Sequence, residues 1–458
     1  MRTLAAYLLG LLFFSANIAT ASEAMAPGGP VSGADTAWLL SSSALVLLMT
    51  PGLSFFYGGM VRPKNVVSTM LQSFICMGLV SIFWYVCGFS FVFGDDIAGV
   101  FGNPSTYFML KNVGEITHAV LSPTVPFILF ALFQLKFAII TPALITGAFA
   151  ERINFNAYLI FILLFEIFVY APLAHMTWHP DGVLHKMGVL DFAGGTVVHM
   201  SAGVAALVGA YVLGSRRSPA GSENAHVPAN VPYVLLGTGL LWFGWFGFNA
   251  GSSLSAGGLS AMAFATTHFA SASAMVGWLA IDVLRGKKAS AMGACVGAVV
   301  GLVAITPGAG YVSIGASIVI GFIGAAVSQA AVYWRVQSGL DDTLDVFPCH
   351  GVGGMVGMLL TGVFAKDGGL VAGQTHLFYA HVIAWAGVTL GVGLISYALY
   401  WSVDQFATLR VSTEEERVGL DLSQHNEVAV SHEEVFRPEA YQSFVASVAG
   451  NPPTMTMQ

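Results

Sequence analysis

Two histidines lie where a histidine is costly. His199 closes the run Gly-Gly-Thr-Val-Val-His, and His350 sits in Pro-Cys-His-Gly-Val-Gly-Gly, each several residues inside a long apolar segment. Ionisable side chains at such depth usually serve a pathway or a relay. Two neutral imidazoles can share a proton, one ring nitrogen donating and the other accepting. They also leave a narrow passage uncharged, whereas a fixed cation would repel a passing one. A lone histidine there would serve equally well as a structural hydrogen-bonding group; the matched pair favours the pathway. Aromatic residues form a second set. Phe133 and Phe137 fall on one helical face, Trp178 ends a later apolar segment, and the run Trp245 to Ser252 adds further rings and a hydroxyl. Ring faces attract cations, although aromatics near segment ends also act as interfacial anchors.

The elements that must hold these residues are membrane helices. Only 9% of the 458 residues are charged and 56% are hydrophobic, against roughly 25% charged in soluble domains. Glycine occurs 53 times, which suits close helix packing in a bilayer. Apolar segments of about 20 residues or more are read at 37–61, 66–93, 122–150, 155–176, 192–214, 232–253, 259–284, 289–306, 314–334, 345–365 and 377–406. The expected fold is an all-α polytopic membrane protein with eleven transmembrane helices. Arg62 with Lys64, Arg152, Arg216 with Arg217, Arg285 with Lys287 and Lys288, and Arg335 occupy alternate loops. Basic loops stay in the cytoplasm, so the N-terminus is expected outside and the C-terminus inside. Residues 1–21 read as a signal peptide, with Arg2, an apolar core and Ala19-Thr20-Ala21 at the cleavage site; an uncleaved extra helix is the alternative.

An odd helix count suggests an inverted repeat, helices 1–5 against 6–10, with helix 11 added. Asp191 is read as opening helix 5 and Asp345 as opening helix 10, each shortly before its histidine. Glycines flanking both histidines should let these two helices cross closely. Other groups are less directive. Lys136 and Glu166 lie at similar depths in helices 3 and 4, as an ion pair, at a polar inter-subunit seam, or neutral. His175 and His179 are spaced i, i+4, but no carboxylate or third histidine adjoins them convincingly, so they read as loop or interfacial residues and no metal is expected. Cys76, Cys87, Cys295 and Cys349 read as apolar packing residues. A net charge of −7 without a long basic cluster argues against a nucleic-acid partner. The spans lack HExxH, GxSxG or paired catalytic carboxylates, so no enzyme activity, catalytic residue or cofactor is expected.

Several long motifs agree in order with one family. Phe133-Gln134-x-x-Phe137-Ala138-Ile139-Ile140-Thr141, Gly147 to Arg152, Asp191 to His199, Gly244 to Ser252, Asp345 to Gly351 and Gly419 to His425 resemble the bacterial ammonium transporter family. The resemblance covers about residues 35–427, with 35–406 as the membrane domain and 407–458 as a cytoplasmic tail. It implies roles at matching positions. Phe133, Phe137, Trp178 and Ser252 correspond to an external ammonium recruitment site, Phe137 and Phe248 to a phenyl gate, and His199 and His350 to twin pore histidines. Asp191 corresponds to an acid needed for function, in part as a helix-start group. The family implies a homotrimer in the bacterial inner membrane, with one pore per subunit carrying ammonia and its proton separately. It also implies a tail that docks at the cytoplasmic face and meets a trimeric PII signal protein. Selectivity towards methylammonium stays open. The tail's Glu414, Glu415, Glu416 and Asp421 are expected to make weak, exposed pairs with the basic loops, and the chain after Asn426 reads as an acidic, poorly ordered extension. A second functional class is an ammonium sensor signalling through this tail; a gas carrier of the Rhesus type is expected to lack the recruitment aromatics and Ser252.

Overall fold

The computed structural model describes residues 28–217 and 227–429. The predicted signal peptide (1–21) and the acidic extension from residue 430 onward lie outside the described residues. Among the described residues, ten helices are long and apolar enough to cross a membrane: α1 (Gly33–Met60), α2 (Pro63–Phe93), α3 (Phe127–Phe149), α4 (Phe155–Lys186, broken after Trp178), α5 (Gly195–Leu213), α6 (Val231–Ala250), α7 (Gly258–Leu284), α9 (Ile314–Ser338), α10 (Phe347–Phe364) and α11 (His376–Phe406). The predicted eighth span is α8 (Ala291–Ile305), only 15 residues long. At 1.5 Å per residue it reaches roughly 22 Å, short of the ~30 Å hydrocarbon thickness. Pro307 and Gly308 follow it and end the helix.

Local chemistry sets most helix starts. The side chains of Ser32, Asn154, Asn230, Ser290 and Ser313 each accept a backbone N–H of the helix they precede. The third span begins at Phe127, later than the predicted 122, because Pro123 and Pro126 hold that segment extended. Ahead of it, a long loop carries the small antiparallel hairpin β1 (Asp96–Ile97) and β2 (Phe101–Gly102).

α3 packs against α1, α2 and α5, while α8 packs against α6, α7, α9 and α10. α1 lies along α6, and α5 crosses α10. The core therefore sits between the halves.

At one end of the bundle the predicted basic loops gather into a network. Arg62 and Arg216 both reach Glu151, Arg216 also pairs with Asp341 at 2.8 Å, and Arg335 pairs with Asp345 at 2.7 Å. Burial alone would raise the Asp341 carboxyl, but hydrogen bonds and charge from Arg216 outweigh it and bring it down to about 2. Arg152 is fully buried and donates to Asp341 O at 2.5 Å, Ala148 O at 3.0 Å and Thr343 Oγ1 at 2.7 Å.

The tail folds onto this basic end as two short helices, α12 (Thr413–Val418) and α13 (Leu420–His425). Lys64 Nζ donates to the carbonyls of Glu416 and Arg417 at 2.8 and 2.7 Å, Leu420 N donates to Asn65 Oδ1 at 2.8 Å, and Ser68 N donates to Asp421 Oδ1 at 2.7 Å. The weak, exposed pairing expected of the tail acids is corrected here. Glu416 and Asp421 are buried, and Glu416 takes Arg410 at 2.8 Å and the Arg217 amide at 2.5 Å. Glu414 pairs with its own neighbour Arg417, and Glu415 closes a capping box with Ser412, so among the described residues neither acid pairs with a basic loop. Gly419 makes this fit possible. Its φ is +108°, and a Cβ there would lie 2.6 Å from the Lys64 backbone oxygen and Cβ. Gly419→Ala is therefore expected to release the tail while leaving the helical bundle folded. Limited trypsin digestion checks this, with cleavage at Arg410 and Arg417 faster in the variant; equal rates would show that the fit tolerates a side chain.

Candidate functional site

Both histidines sit in widened, π-type turns at the start of their helices, His199 in Gly195–Met200 and His350 in Phe347–Val352. Such turns change which residues share a face and recur at functional sites. Each turn begins inside the protein, where its free amides need acceptors. Asp191 accepts Gly194 N at 2.9 Å, Gly195 N at 2.5 Å and Thr196 N at 2.8 Å, and the Thr196 hydroxyl as well. Asp342 plays the matching part in the other half, accepting Val346 N at 3.0 Å and Phe347 N at 2.7 Å. The sequence reading gave that role to Asp345. Asp345 instead adopts φ +56° and turns its carboxyl to Arg335. Spacing was the available signal, since Asp191 and Asp342 each lie eight residues before their histidine.

The predicted close crossing is present. A Cβ on Gly203 would fall 2.1 Å from Gly351 N and 2.2 Å from its Cα, so the two backbones touch. Across this contact His199 Nδ1 and His350 Nδ1 are 3.4 Å apart, with ring centroids separated by 5.5 Å and planes 24° apart. Two donors cannot face each other, so one Nδ1 carries the proton and the other accepts it. His199 stacks on Trp245 at 5.2 Å, and the Trp245 Nε1–H is anchored to Thr306 Oγ1 at 3.0 Å. Trp245 is a site residue that the sequence reading placed in its aromatic run without giving it a role.

The imidazoles line a closed apolar cavity with Leu53, Leu144, Trp245, Phe248 and Val299 among its walls. It offers a water-sized sphere about 10 Å³, roughly the minimum for one water molecule. Phe137 and Phe248 stand at its edge with ring centroids 4.3 Å apart. Beyond them opens a vestibule of about 270 Å³ lined by Phe137, Trp178, Ser252, Gln134 and His185. Trp178 stands edge-on to Phe137 at 5.7 Å and donates its Nε1–H to Asp191 O at 3.1 Å. Ser252 donates to Phe248 O at 2.8 Å, leaving its oxygen able to accept. Phe133 is the exception within the predicted recruitment set. It is fully buried behind Phe137, beside Gly251, and braces the ring instead of lining the vestibule.

Two further expectations change. Lys136 and Glu166 form no ion pair: Glu166 is buried with both oxygens unpartnered among the described residues, whereas Lys136 is partly exposed. Equal depth along two helices does not fix a common facing. His175 is no interfacial residue. It is fully buried, donates from Nδ1 to Val92 O at 2.7 Å, meets Asp96 Oδ1 at 2.9 Å and stacks on His179 at 4.4 Å. The carboxylate missing from its neighbourhood in sequence arrives from β1.

This arrangement has relatives. Residues 37–430 match the model of the Ammonium Transporter Family. The chain belongs to the ammonium transporter family. It is 44% identical over 407 residues to a putative ammonium transporter of Methanothermobacter thermautotrophicus, covering 87% of this chain and 98% of that one. It is 43% identical to the ammonium transporter of Bacillus subtilis, over 86% and 98% of the two chains. Among solved structures, Mep2 from Candida albicans superposes with a TM-score of 0.79 at 33% identity, covering 84% and 88%. A structure described as a sensor Amt protein gives 0.78 at 29% identity, covering 86% and 98%.

In this ammonium transporter family member the glycine contact is the tightest point of the site. Gly203→Val is expected to force α5 and α10 apart, with an overpacking cost of about 1–3 kcal/mol. The measurement is thermal unfolding beside ammonium flux in liposomes, with flux falling more sharply than stability.

Proposed function

We propose that the protein carries ammonium across the bacterial inner membrane by conducting ammonia through the His199–His350 pore, its proton crossing separately. The observation that carries this reading is the imidazole pair, 3.4 Å apart, in a cavity with room for about one water. A hydrated cation does not fit there, and stripping its water in an apolar channel is costly. Trp178, Phe137 and Ser252 supply ring faces and an acceptor where an ammonium ion would pause before losing its proton. The Phe137–Phe248 rings then act as the gate, and Phe133 supports the recruitment site from behind. Asp191 serves the pore through the backbone it holds.

The same reading counts α8 as an eleventh span and places the basic end in the cytoplasm, with the N-terminus outside after removal of residues 1–21. Three subunits with one pore each, and a PII protein meeting the docked tail, complete the proposal. A second reading is an ammonium sensor, favoured by the likeness to the sensor Amt protein and by a tail packed on the pore-bearing bundle. Ammonium-evoked current in purified proteoliposomes separates a transporter from a sensor.

Three outcomes are expected. Replacing both His199 and His350 with Ala changes selectivity or abolishes transport while the protein still assembles; unaltered current and unaltered discrimination against potassium would sink the pore role. Trp178→Leu and Ser252→Ala shift the ammonium concentration dependence a few-fold to tens-fold, since a cation–π contact contributes roughly 0.5–2 kcal/mol; identical curves would place recruitment elsewhere. Deletion from Arg410 lowers transport and removes PII control, whereas deletion from Asn426 leaves basal transport largely intact; full activity and PII inhibition after the longer deletion would refute the docking role.

A further inference from the structure

Glu166 is a fully buried carboxyl that the pore does not use. It opens a π-type turn, Glu166–Tyr170, of the kind that carries both histidines. Neither of its oxygens has a hydrogen-bond partner among the described residues, and the same holds for the Tyr170 hydroxyl and the Gln72 side-chain amide, all buried. Several unsatisfied polar groups in one buried seam call for water or an ion between them. The carboxyl lies within electrostatic reach of the Tyr170 hydroxyl and the Cys76 thiol. Cys76 Sγ is 3.1 Å from Tyr158 Oη, which donates to Gln72 O at 2.7 Å.

Ser68, Gln72 and Cys76 recur every four residues on α2, so they form one buried polar stripe. It begins where the tail docks, for Ser68 N donates to Asp421 and Ser68 Oγ meets His425 Nε2 at 3.3 Å. The titratable groups facing this seam are Cys76 from α2, Tyr158 and Tyr170 from α4, and Tyr400 from α11, which faces Tyr158. Lys136, the one charged residue of α3, makes no ion pair with Glu166 among the described residues. Among the described residues no cation balances the carboxyl, and an unpaired anion at this depth is unfavourable.

We propose that Glu166 is a second proton-binding site, separate from the histidine pair, which exchanges its proton with solution at the basic end along the Ser68–Gln72–Tyr158–Cys76 seam. The step is simple in its balance: a proton from water bonds to a carboxylate oxygen, giving the neutral acid, and returns by the same route.

Infrared difference spectroscopy on the full chain in liposomes tests this. The expected result is a protonated-carboxyl band that shifts on transfer to heavy water, moves again when glutamate carries a 13C side-chain carboxyl, and is lost in Glu166→Gln. The isotope shift needs only the unsubstituted protein and identifies the acid as a glutamate even where the variant folds poorly; the other buried glutamates among the described residues, Glu151 and Glu416, are each paired with an arginine, which leaves Glu166 as the one to carry the proton. Tyr158→Phe is expected to slow the deuterium shift. Absence of a glutamate band, or a band that heavy water leaves in place, would overturn the site; an unchanged exchange rate in Tyr158→Phe would overturn the route. The readout does not involve transport, so its failure is distinct from failure of the pore reading.

Discussion

A histidine pair inside an apolar bundle requires two helix backbones to touch, and the rest of the site depends on that contact. An imidazole reaches only a few ångströms from its own helix. Two of them meet at 3.4 Å because Gly203 and Gly351 leave no side chain between α5 and α10. Contact alone sets the lateral position but leaves each helix free to slide. Asp191 and Asp342 remove that freedom by pinning the first amides of the two π-type turns. A carboxylate accepting several backbone N–H groups also balances the positive end of the helix dipole where no water reaches. Glycine contact and acidic caps together fix the rings in two dimensions.

On the proposed reading, the narrowness that follows decides what form of a substrate passes. The vestibule offers space, aromatic faces and a hydroxyl, all suited to a small cation that keeps part of its hydration. Past the ring pair of Phe137 and Phe248, space falls to about one water and the walls are largely apolar. Charge is disfavoured there far more than a neutral molecule of equal size. The reading of separate ammonia and proton passage rests on this contrast between two adjoining compartments, more than on either compartment alone.

The fold was legible in this sequence because membrane helices announce themselves by length, and basic loops by alternation. Where segments were misjudged, a local residue was responsible: Pro123 and Pro126 delay α3, and Pro307 ends α8. The histidines were legible because two imidazoles at matched places among glycines are costly in apolar runs. Non-local partners were not. Asp345 looked like the cap because it stands nearest His350, yet the cap is Asp342, whose equal spacing to Asp191 went unused. Asp96 beside His175 comes from a hairpin 79 residues away. Phe133 matched a motif by position, but which of two rings on one helical face reaches the vestibule depends on what packs behind them.

The packed tail and the histidine cavity are parts of one hydrogen-bonded chain. Val411 N donates to Arg152 O at 3.0 Å, and Asn154 N donates to Leu409 O at 2.8 Å, so the tail enters as an extra strand beside the α3–α4 turn. The Arg152 guanidinium then holds Asp341 O and Thr343 Oγ1, on either side of Asp342. Asp342 in turn caps the helix that presents His350. Arg152 is thus held by its backbone to the tail and by its side chain to the segment that positions His350. Buried groups with this many partners have few alternative arrangements, because each lost partner leaves a polar atom unsatisfied. A change in tail position therefore has to be taken up either at Arg152 or at the cap beyond it, and the cap is where a small displacement reaches the histidine pair.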